Sequence, residues 1–520
     1  MTGFDRIAQA GKHREPEARY DLLVVGGGPA GAAAALTAAE GGASVLLVDE
    51  NPVDPGLMGR DTPLWFGGRY TAEVQTPERL TAQVFAANPL LESAMEAGAE
   101  IQLGVSSWGA WVPGWGLASL PGPIAGLADA ERAWTVGFER IVIAAGARDV
   151  ALAFPGWNQP GVMGARGFLS LVETYDAFGG RRIVLLGSDA LARRAADAAL
   201  AHGLEVVAAI EIGERPLADL GEIRVLTGAV PLAAAGGLDG VTTLTVRVGS
   251  ETVDLDCDTV VMAVSLTPTI ELLDVLGVEL AMQPALGGHA PVSPDGIATS
   301  LPEVFVAGDV AGVPGGAPLS IDAAEASGRR AGQAVLASLG RGSYVPEPRP
   351  TASVDALAQQ AAWLRALNGA SPADTIVCQC EEVTREALLA VRPPAYLGPP
   401  SPAQAKRDIA TLLADGPANQ DQIKRLTRAC MGPCQARRCR EQVALNLAFA
   451  SNQPPERTPL AGYRAPVRPL PLKVIAAWDE TPEMGRFWDV WMGVPGQWTP
   501  YDDIGTEREA RSAGIFANEE

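Results

Sequence analysis

Apolar residues first gather at positions 22–25, break on a run of glycines, and return at 45–48 after an alanine-rich stretch, giving DLLVVGGGPAGAAAALTAAEGGASVLLVDE over residues 21–50. Short unbroken apolar runs bounded by turn residues indicate buried strands, and the small-residue segment between them indicates a helix. The pattern predicts strand, turn, helix, strand. In the turn Gly26-Gly27-Gly28-Pro29-Ala30-Gly31, Gly26 permits the tight bend, Gly28 lets backbone approach a pyrophosphate, and Gly31 lets the helix pack closely on the strand. Unpaired N–H groups at a helix start favour phosphate. Asp49, 21 residues after Gly28 and followed by Glu50, is placed to accept hydrogen bonds from ribose hydroxyls. A dinucleotide site is expected, though glycines and an acid do not say which dinucleotide.

The pattern recurs at 181–211, RRIVLLGSDALARRAADAALAHGLEVVAAIE, where the turn reads Gly187-Ser188-Asp189-Ala190-Leu191-Ala192. Asp189 stands where a phosphate would approach, and its carboxylate opposes one. The second unit therefore reads as nucleotide-type with its NAD(P) site weakened or lost. Two further signals frame it. FERIVIAAGAR (138–148) runs a buried strand into Ala145-Gly146-Ala147, small enough for close approach to a cofactor. LPEVFVAGDVAG (301–312) places Gly308 and Asp309 at a strand's carboxyl end before a small-residue helix at 322–339. An acid there can bond a ribityl hydroxyl while the helix faces the pyrophosphate. The Gly- and Pro-rich stretch 52–70, with Trp65, Phe66 and Tyr70, reads either as a surface loop or as an arm against a cofactor or partner. Trp108, Trp111, Trp115 and Trp134 have strand-like spacing.

As a set, GGGPAG, the acid after the second strand, AAGAR and VFVAGD resemble the two-dinucleotide-binding flavoprotein superfamily, in its glutathione-reductase-like arrangement, over residues 21–345. The resemblance implies an α/β fold and FAD held at Gly26, Gly28, Gly31, Asp49 and Asp309, with Pro29, Ala30, Glu50, Ala145, Gly146 and Gly308 completing the site.

At 520 residues the chain is long enough for several domains. Its 40 Lys and Arg against 61 Asp and Glu give a net charge of −21, which repels nucleic acid and anionic lipid surfaces. No apolar run approaches the roughly 20 residues needed to span a bilayer, and the N-terminus is polar. The expected location is cytoplasmic, with any membrane association made through a partner. His13, His202 and His289 are the only histidines. All three read as surface residues, so no catalytic residue is assigned. Cys257 reads as an inert core thiol in a strand-like segment at 252–264. No cysteine pair accompanies the flavin motifs, which excludes a disulfide-reductase mechanism.

The other five cysteines lie between Cys378 and Cys439. Cys378-Gln379-Cys380 is separated by 53 residues from Cys434, which precedes Cys439 in a C-x₄-C pair, and Cys430 sits four positions before Cys434. Two thiolate pairs suit Zn²⁺ or a [2Fe–2S] cluster, and the C-x-C spacing fits zinc poorly. Arg425, Arg428, Arg437, Arg438 and Arg440 surround the second pair. Helices beginning after Thr384 and near Gln435 would aim N–H dipoles at the sulfurs. VCQCEEVT and RLTRACMGPCQARRC resemble the bacterioferritin-associated-ferredoxin-type [2Fe–2S] domain over residues 374–448. That domain occurs in flavoprotein subunits of heteromeric opine, hydroxyproline and proline dehydrogenases, of hydrogen cyanide synthase and, more remotely, of sarcosine oxidase. By the resemblance the ligands are Cys378, Cys380, Cys434 and Cys439, with Cys430/Cys434 as the alternative second pair. The insert AVRPPAYLGPPSPAQAKRDIATLLADG is expected to lead away from the cluster.

The resemblance implies an electron-transferring FAD/[2Fe–2S] subunit of a dehydrogenase acting on a secondary amine or amino acid. It also implies a smaller FAD-containing catalytic partner, a third small subunit, FMN at a subunit interface, and an electron acceptor. The alternatives are a self-contained NAD(P)H:acceptor reductase and a zinc-holding scaffold. The expected organisation is a tail (1–20), an FAD domain (21–155 and 276–345), a second nucleotide-type domain (156–275), a linker and helix (346–371), a small helical [2Fe–2S] domain (372–450) and a tail (451–520). That last tail carries Trp478, Trp488, Trp491 and Trp498 for docking or for packing back on the FAD domain.

Overall fold

The computed structural model describes residues 15–52, 68–114, 122–349, 354–417, 419–478 and 481–482. Trp65, Phe66, Trp115, Trp488, Trp491 and Trp498 lie outside the described residues. The glycine turn joins β1 (Ala18–Val25), α1 (Pro29–Glu40) and β2 (Val45–Asp49). Leu22, Leu23, Val24, Leu46, Leu47 and Val48 are fully buried. Covered on both faces, a parallel strand needs apolar residues at every position, which is why these segments read as runs rather than alternations. β1 lies parallel between β2 and the strand Ala133–Ile143, with Leu23 opposite both Leu46 and Ile141. Glu100–Leu103 extends the sheet past β2, Val304–Val306 joins Ala133–Ile143 in parallel, and an antiparallel ribbon of Ile124–Ala128 and Ser106–Trp111 completes it. The helix Ile321–Ser338 packs directly on α1. A Cβ on Gly328 would lie 2.0 Å from the Ala30 carbonyl oxygen, so only glycine allows that approach.

The second unit repeats the first. β3 (Arg182–Leu186), α2 (Ala190–Ala201) and β4 (Glu205–Ile210) belong to a five-stranded parallel sheet ordered Val225–Leu226, β4, β3, Thr259–Met262, Val162–Gly164. Gly26 has φ +113° and Gly187 φ +114°, and a Cβ on either would fall 2.3 Å from a carbonyl oxygen, of Ala144 and Ala263 respectively. The two-dinucleotide-binding α/β architecture expected from the sequence is the one the chain adopts. The units differ where each helix begins. α1 starts at Gly28 with no side-chain cap. α2 starts at Asp189, whose carboxylate accepts the Leu191 and Ala192 N–H groups at 2.9 and 3.1 Å and the Gln359 amide at 3.0 Å. Gln359 belongs to α3 (Ala356–Ala370).

A meander of Ala229–Gly237, Gly240–Val248 and Glu251–Asp256 flanks this sheet. Cys257 is buried as expected, but it lies in the turn between strands. There Asp258 accepts the Arg181 and Arg182 N–H groups and ends the run.

After α3 comes a short hairpin, Ile376–Cys378 with Val383–Thr384, and the cysteine-bearing part ends in α4 (Arg440–Ser451). It shares its core with the second unit. The Trp157 indole donates to the Ile376 carbonyl at 2.7 Å, while Gln442 accepts from Ala153 N–H at 3.0 Å and donates to the Val377 carbonyl at 2.8 Å. Two expectations fail here. The helix expected near Gln435 begins at Arg440, because Gln435 and Ala436 adopt φ +47° and +68° and cannot continue a right-handed helix. The insert does not lead away: Tyr396 donates to the Glu381 carboxylate beside Cys380, and Arg392 ties the Gln404 and Ala405 carbonyls at 2.7 Å each. His289 also departs from its surface reading, standing half-buried on the strand Gly288–Pro291. Among the described residues no helix is long and apolar enough to cross a membrane.

Burial pushes the Asp189 carboxyl up to about 6, helped by Glu211 and opposed by the Leu191 and Ala192 N–H groups and Gln359. A folded pKa above the unfolded value of roughly 3.9 means that the stability carried by this group is complete below about pH 4 and is lost as pH rises through about 6. Asparagine caps a helix comparably. Asp189→Asn should therefore gain thermal stability over the parent at pH 8 relative to pH 4.5, and melts at both pH values giving a constant offset would contradict this.

Candidate functional site

The carboxyl ends of β1, β2 and Ala133–Ile143 open into a cleft. Of the residues expected there, Gly26, Gly28, Asp49, Glu50, Ala145 and Gly146 line it. Pro29, Ala30 and Gly31 form the first turn of α1 behind that lining. A Cβ on Gly31 would lie 1.8 Å from the Gly26 carbonyl oxygen. Gly308 approaches the same turn, its added Cβ falling 2.9 Å from that of Ala30. Asp309 beside it accepts the Leu319 N–H at 2.9 Å. Burial raises the Asp309 carboxyl, against the pull of the Arg166 charge and that N–H.

Asp49 faces its own turn. One carboxylate oxygen accepts the Gly27 N–H, and the other accepts the Asn51 backbone and side-chain amides at 2.7 and 2.8 Å. The acid thus holds the glycine turn in shape. Glu50 is gripped by both arms of Arg468 at 2.8 Å, a residue from the C-terminal segment. The cleft fits an anionic diphosphate. The N–H groups at the start of α1 lack a side-chain cap. A Cβ on Gly28 would meet none of the described residues within 4 Å. The Arg166 guanidinium and the Ser107 hydroxyl, the latter buried without a partner among the described residues, line the same space.

The five clustered thiols come together in the fold. Cys378, Cys380, Cys434 and Cys439 touch in a closed ring, with Cys380 and Cys434 sulfurs 3.5 Å apart, and Cys430 joins at the Cys439 corner at 3.6 Å. Among the described residues no group of three or more His, Cys, Asp or Glu side chains is arranged to hold a metal ion; what the thiols make is this set of pairwise sulfur contacts. Cys434 is pushed down by hydrogen bonds from the Cys380 and Cys439 thiols, by the Arg438 N–H and by the Arg437 charge. The Cys430 N–H likewise donates to Cys378. Cys439 is the N-cap residue of α4, so that helix's positive end meets a sulfur.

Between cleft and thiols lies a set of buried charges that sequence reasoning missed. Arg148, at the end of the AAGAR motif, pairs with Glu271 and, at 2.8 Å, with Glu441; Arg440 pairs with the same Glu441 and donates to Tyr463 at 3.0 Å. Glu271 lines the cleft, and Arg440 directly follows Cys439. Burial would raise the Glu271 carboxyl, but Arg148, Arg440, Arg468 and Arg437 outweigh it and hold it at about 2. His289 faces Arg440 and Glu441 in a small adjoining cavity, and burial followed by the Arg440 charge pushes it down to about 4. Arg148 was visible in the motif, but its partners sit 123 and 293 residues away, and no local pattern marks them. Arg468 was hidden in a Pro-rich tail. That tail packs back on the first unit: Trp478 meets Trp108 edge-on at 6.1 Å, and Val467 N–H donates to the Trp108 carbonyl at 2.7 Å.

Removing one partner of a buried ion pair typically costs about 3–5 kcal/mol, because the other charge is left unmatched. Arg148→Met should therefore destabilise the protein by about that much in urea titrations. Adding Glu271→Gln should recover part of the loss, and a double variant no more stable than the single would contradict the pairing.

The chain is 27% identical over 500 residues to an opine oxidase subunit of Agrobacterium tumefaciens (strain Ach5), covering 88% of this chain and 91% of that one. It is 27% identical over 265 residues to the alpha subunit of sarcosine oxidase from Rhizobium meliloti (strain 1021), covering 49% of this chain and 25% of that one. The crystal structure of L-proline dehydrogenase from P. horikoshii shares the fold with a TM-score of 0.60 at 18% identity, over 89% of this chain and 81% of that one. The sarcosine oxidase A3 domain model matches residues 404–479, a stretch containing Cys430, Cys434 and Cys439. The pyridine nucleotide-disulphide oxidoreductase model matches residues 20–328, more than half of the sequence, and the chain belongs to that family as an FAD-dependent oxidoreductase.

Proposed function

We propose that this chain is the electron-transferring subunit of a heteromeric dehydrogenase that oxidises a secondary amine or amino acid at a C–N bond, with substrate oxidised on a partner flavoprotein subunit. One observation carries the reading: a cleft at the first glycine turn and a five-thiol cluster share one fold and are joined by the Arg148–Glu271–Glu441–Arg440 set. The likeness to the opine oxidase subunit over most of both chains supports it. So does the placement of the histidines: among the described residues, His202 caps α2 away from the cleft, and His289 is held neutral outside it.

FAD would be held by Gly26, Gly28, Pro29, Ala30 and Gly31 at its diphosphate, by Asp49 and Glu50 at its ribose, and by Ala145, Gly146, Gly308 and Asp309 along its length. Cys378, Cys380, Cys434 and Cys439 would ligate a [2Fe–2S] cluster, since these four form the closed ring. When bound, the flavin supplies two-electron chemistry and the cluster one-electron chemistry. The chain's own residues orient and insulate. The α1 N–H groups and Arg166 neutralise phosphate charge, Arg468 secures Glu50 at the cleft rim, and the Cys430 and Arg438 N–H groups favour thiolates. FMN at a subunit interface and a third small subunit remain part of the proposal.

The self-contained NAD(P)H reductase is the weaker reading, because Asp189 already fills the helix-start N–H groups that a pyrophosphate would use. Anaerobic NADPH should leave the flavin oxidised, and rapid bleaching would reverse the preference. Gly28→Asp gives the first turn the residue of the second. Gly28 has φ −67° and open space around it, so the fold should persist while FAD is lost, read as flavin released per chain. Cys434→Ser should remove iron–sulfur absorbance and leave the FAD spectrum. Retained iron would make Cys430 a ligand, and zinc without iron or sulfide in the parent would replace the redox reading with the scaffold one.

A further inference from the structure

The C-terminal segment meets the cleft on several walls. Its Tyr463 N–H donates to Asp274 at 2.6 Å, on the helix Glu271–Leu276, whose Glu271 and Leu272 line one wall. Its Val467 N–H donates to the Trp108 carbonyl at 2.7 Å, next to Ser106 and Ser107 on another. Val467 and Arg468 are themselves lining residues, and Arg468 grips Glu50, just past β2, with both arms at 2.8 Å. The anchors differ in kind. At the root, Ala461 N–H donates to Gln420 at 3.0 Å and the Gly462 carbonyl accepts from Lys424 at 2.8 Å, both on the helix Gln420–Thr427. The Pro466 and Val467 carbonyls accept from Gln435 and Arg437, so the cysteine-bearing part holds most of the segment. At the tip, the Arg468–Glu50 pair makes the tie to the β2 side. With 17% and 29% of these two side chains exposed, water can replace that contact at little cost.

We propose that residues 461–468 form a strap that closes over a dinucleotide in this cleft, with Arg468–Glu50 as its latch: the pair parts to admit or release the cofactor and re-forms behind it. The inference rests on the reading of the cleft as the FAD site. A planar guanidinium suits the task, since its fork meets both carboxylate oxygens at once and re-forms in one geometry. Arg468 is thus a positioning residue that acts through Glu50. A latch and a simple contact differ in kinetics. Losing a contact made only in the bound state speeds release alone, whereas losing a latch speeds passage in both directions, because the strap stands in the way of entry as well as exit. Loosening the root also frees the tip, so Lys424, which lines no part of the cleft, governs the same passage from the far end.

The test uses the full chain in the complex in which it purifies, with FAD as the probe. Release is read as exchange of bound flavin against excess isotope-labelled FAD, and uptake as quenching of FAD fluorescence on mixing with deflavinated protein. Arg468→Ala should speed both by about fivefold, the worth of one partly exposed ion pair, and so leave the dissociation constant nearly unchanged. Lys424→Met should move both rates in the same direction, and it carries the test should Arg468→Ala not fold. Faster release with uptake at the parent rate makes Arg468 an ordinary contact and overturns the latch, as do parent rates in both directions. Either result leaves the cleft reading standing, because FAD is still bound. Parent protein that neither contains flavin nor takes up FAD overturns the strap and the cleft reading together.

Discussion

Two guanidinium and two carboxylate groups buried together fix the relation between the cleft and the thiols. Arg148, Glu271, Glu441 and Arg440 are almost wholly removed from water and carry no net charge as a set. Desolvating each ion costs several kcal/mol, recovered only while every charge meets its counterpart in good geometry. Sliding the cysteine-bearing part relative to the first sheet would strand at least one of them. An apolar contact of equal area would tolerate such a slide far better, because hydrophobic burial has no direction. The ionic contact therefore specifies position more than it adds stability, and Gln442 and Trp157 reinforce it with directional bonds to backbone.

The two similar turns differ chiefly in how each helix start is satisfied. Both turns use a left-handed glycine jammed against a carbonyl, so the backbone is common. Exchanging glycine for aspartate at the third position supplies internally the anion that a cofactor would otherwise bring. Asp189 satisfies the start of α2, and Gln359 then ties that carboxylate to α3. Ser188 extends the joint by donating to Glu211 at 2.6 Å and accepting the Leu217 N–H at 3.0 Å. The start of this helix is thereby a point of attachment for the helix that leads to the cysteines.

The parts legible in the sequence are those whose chemistry is local. Glycine at a position that sterics forbid to other residues, an acid closing a strand, and cysteines at short spacing each announce themselves within a few residues. The buried charges do not, since Arg148 and Glu441 are separated by 293 positions and each looks like an ordinary surface residue in its own window. His289 was misread for the same reason: two glycines suggested a loop, whereas they shape a hairpin that delivers the imidazole to Arg440. Gln435 and Ala436 sit among residues of adequate helix propensity, yet their left-handed backbone serves the sulfur cluster. Tertiary demand overrode local preference there, and the helix began only once Cys439 was in place.

The C-terminal segment extends the same logic to the cleft. Within six residues it receives the Arg440 bond at Tyr463, the Gln435 amide at Pro466 at 2.7 Å, and the Arg437 guanidinium at Val467, and then gives Arg468 to Glu50. One short strap thus contacts the loop that presents Cys434 and Cys439 and the rim where ribose would sit. Because its anchors are charged or backbone groups with fixed directions, the strap cannot shift at one end without loosening the other. The thiol loop and the cleft rim are consequently tied to each other through one segment of the chain.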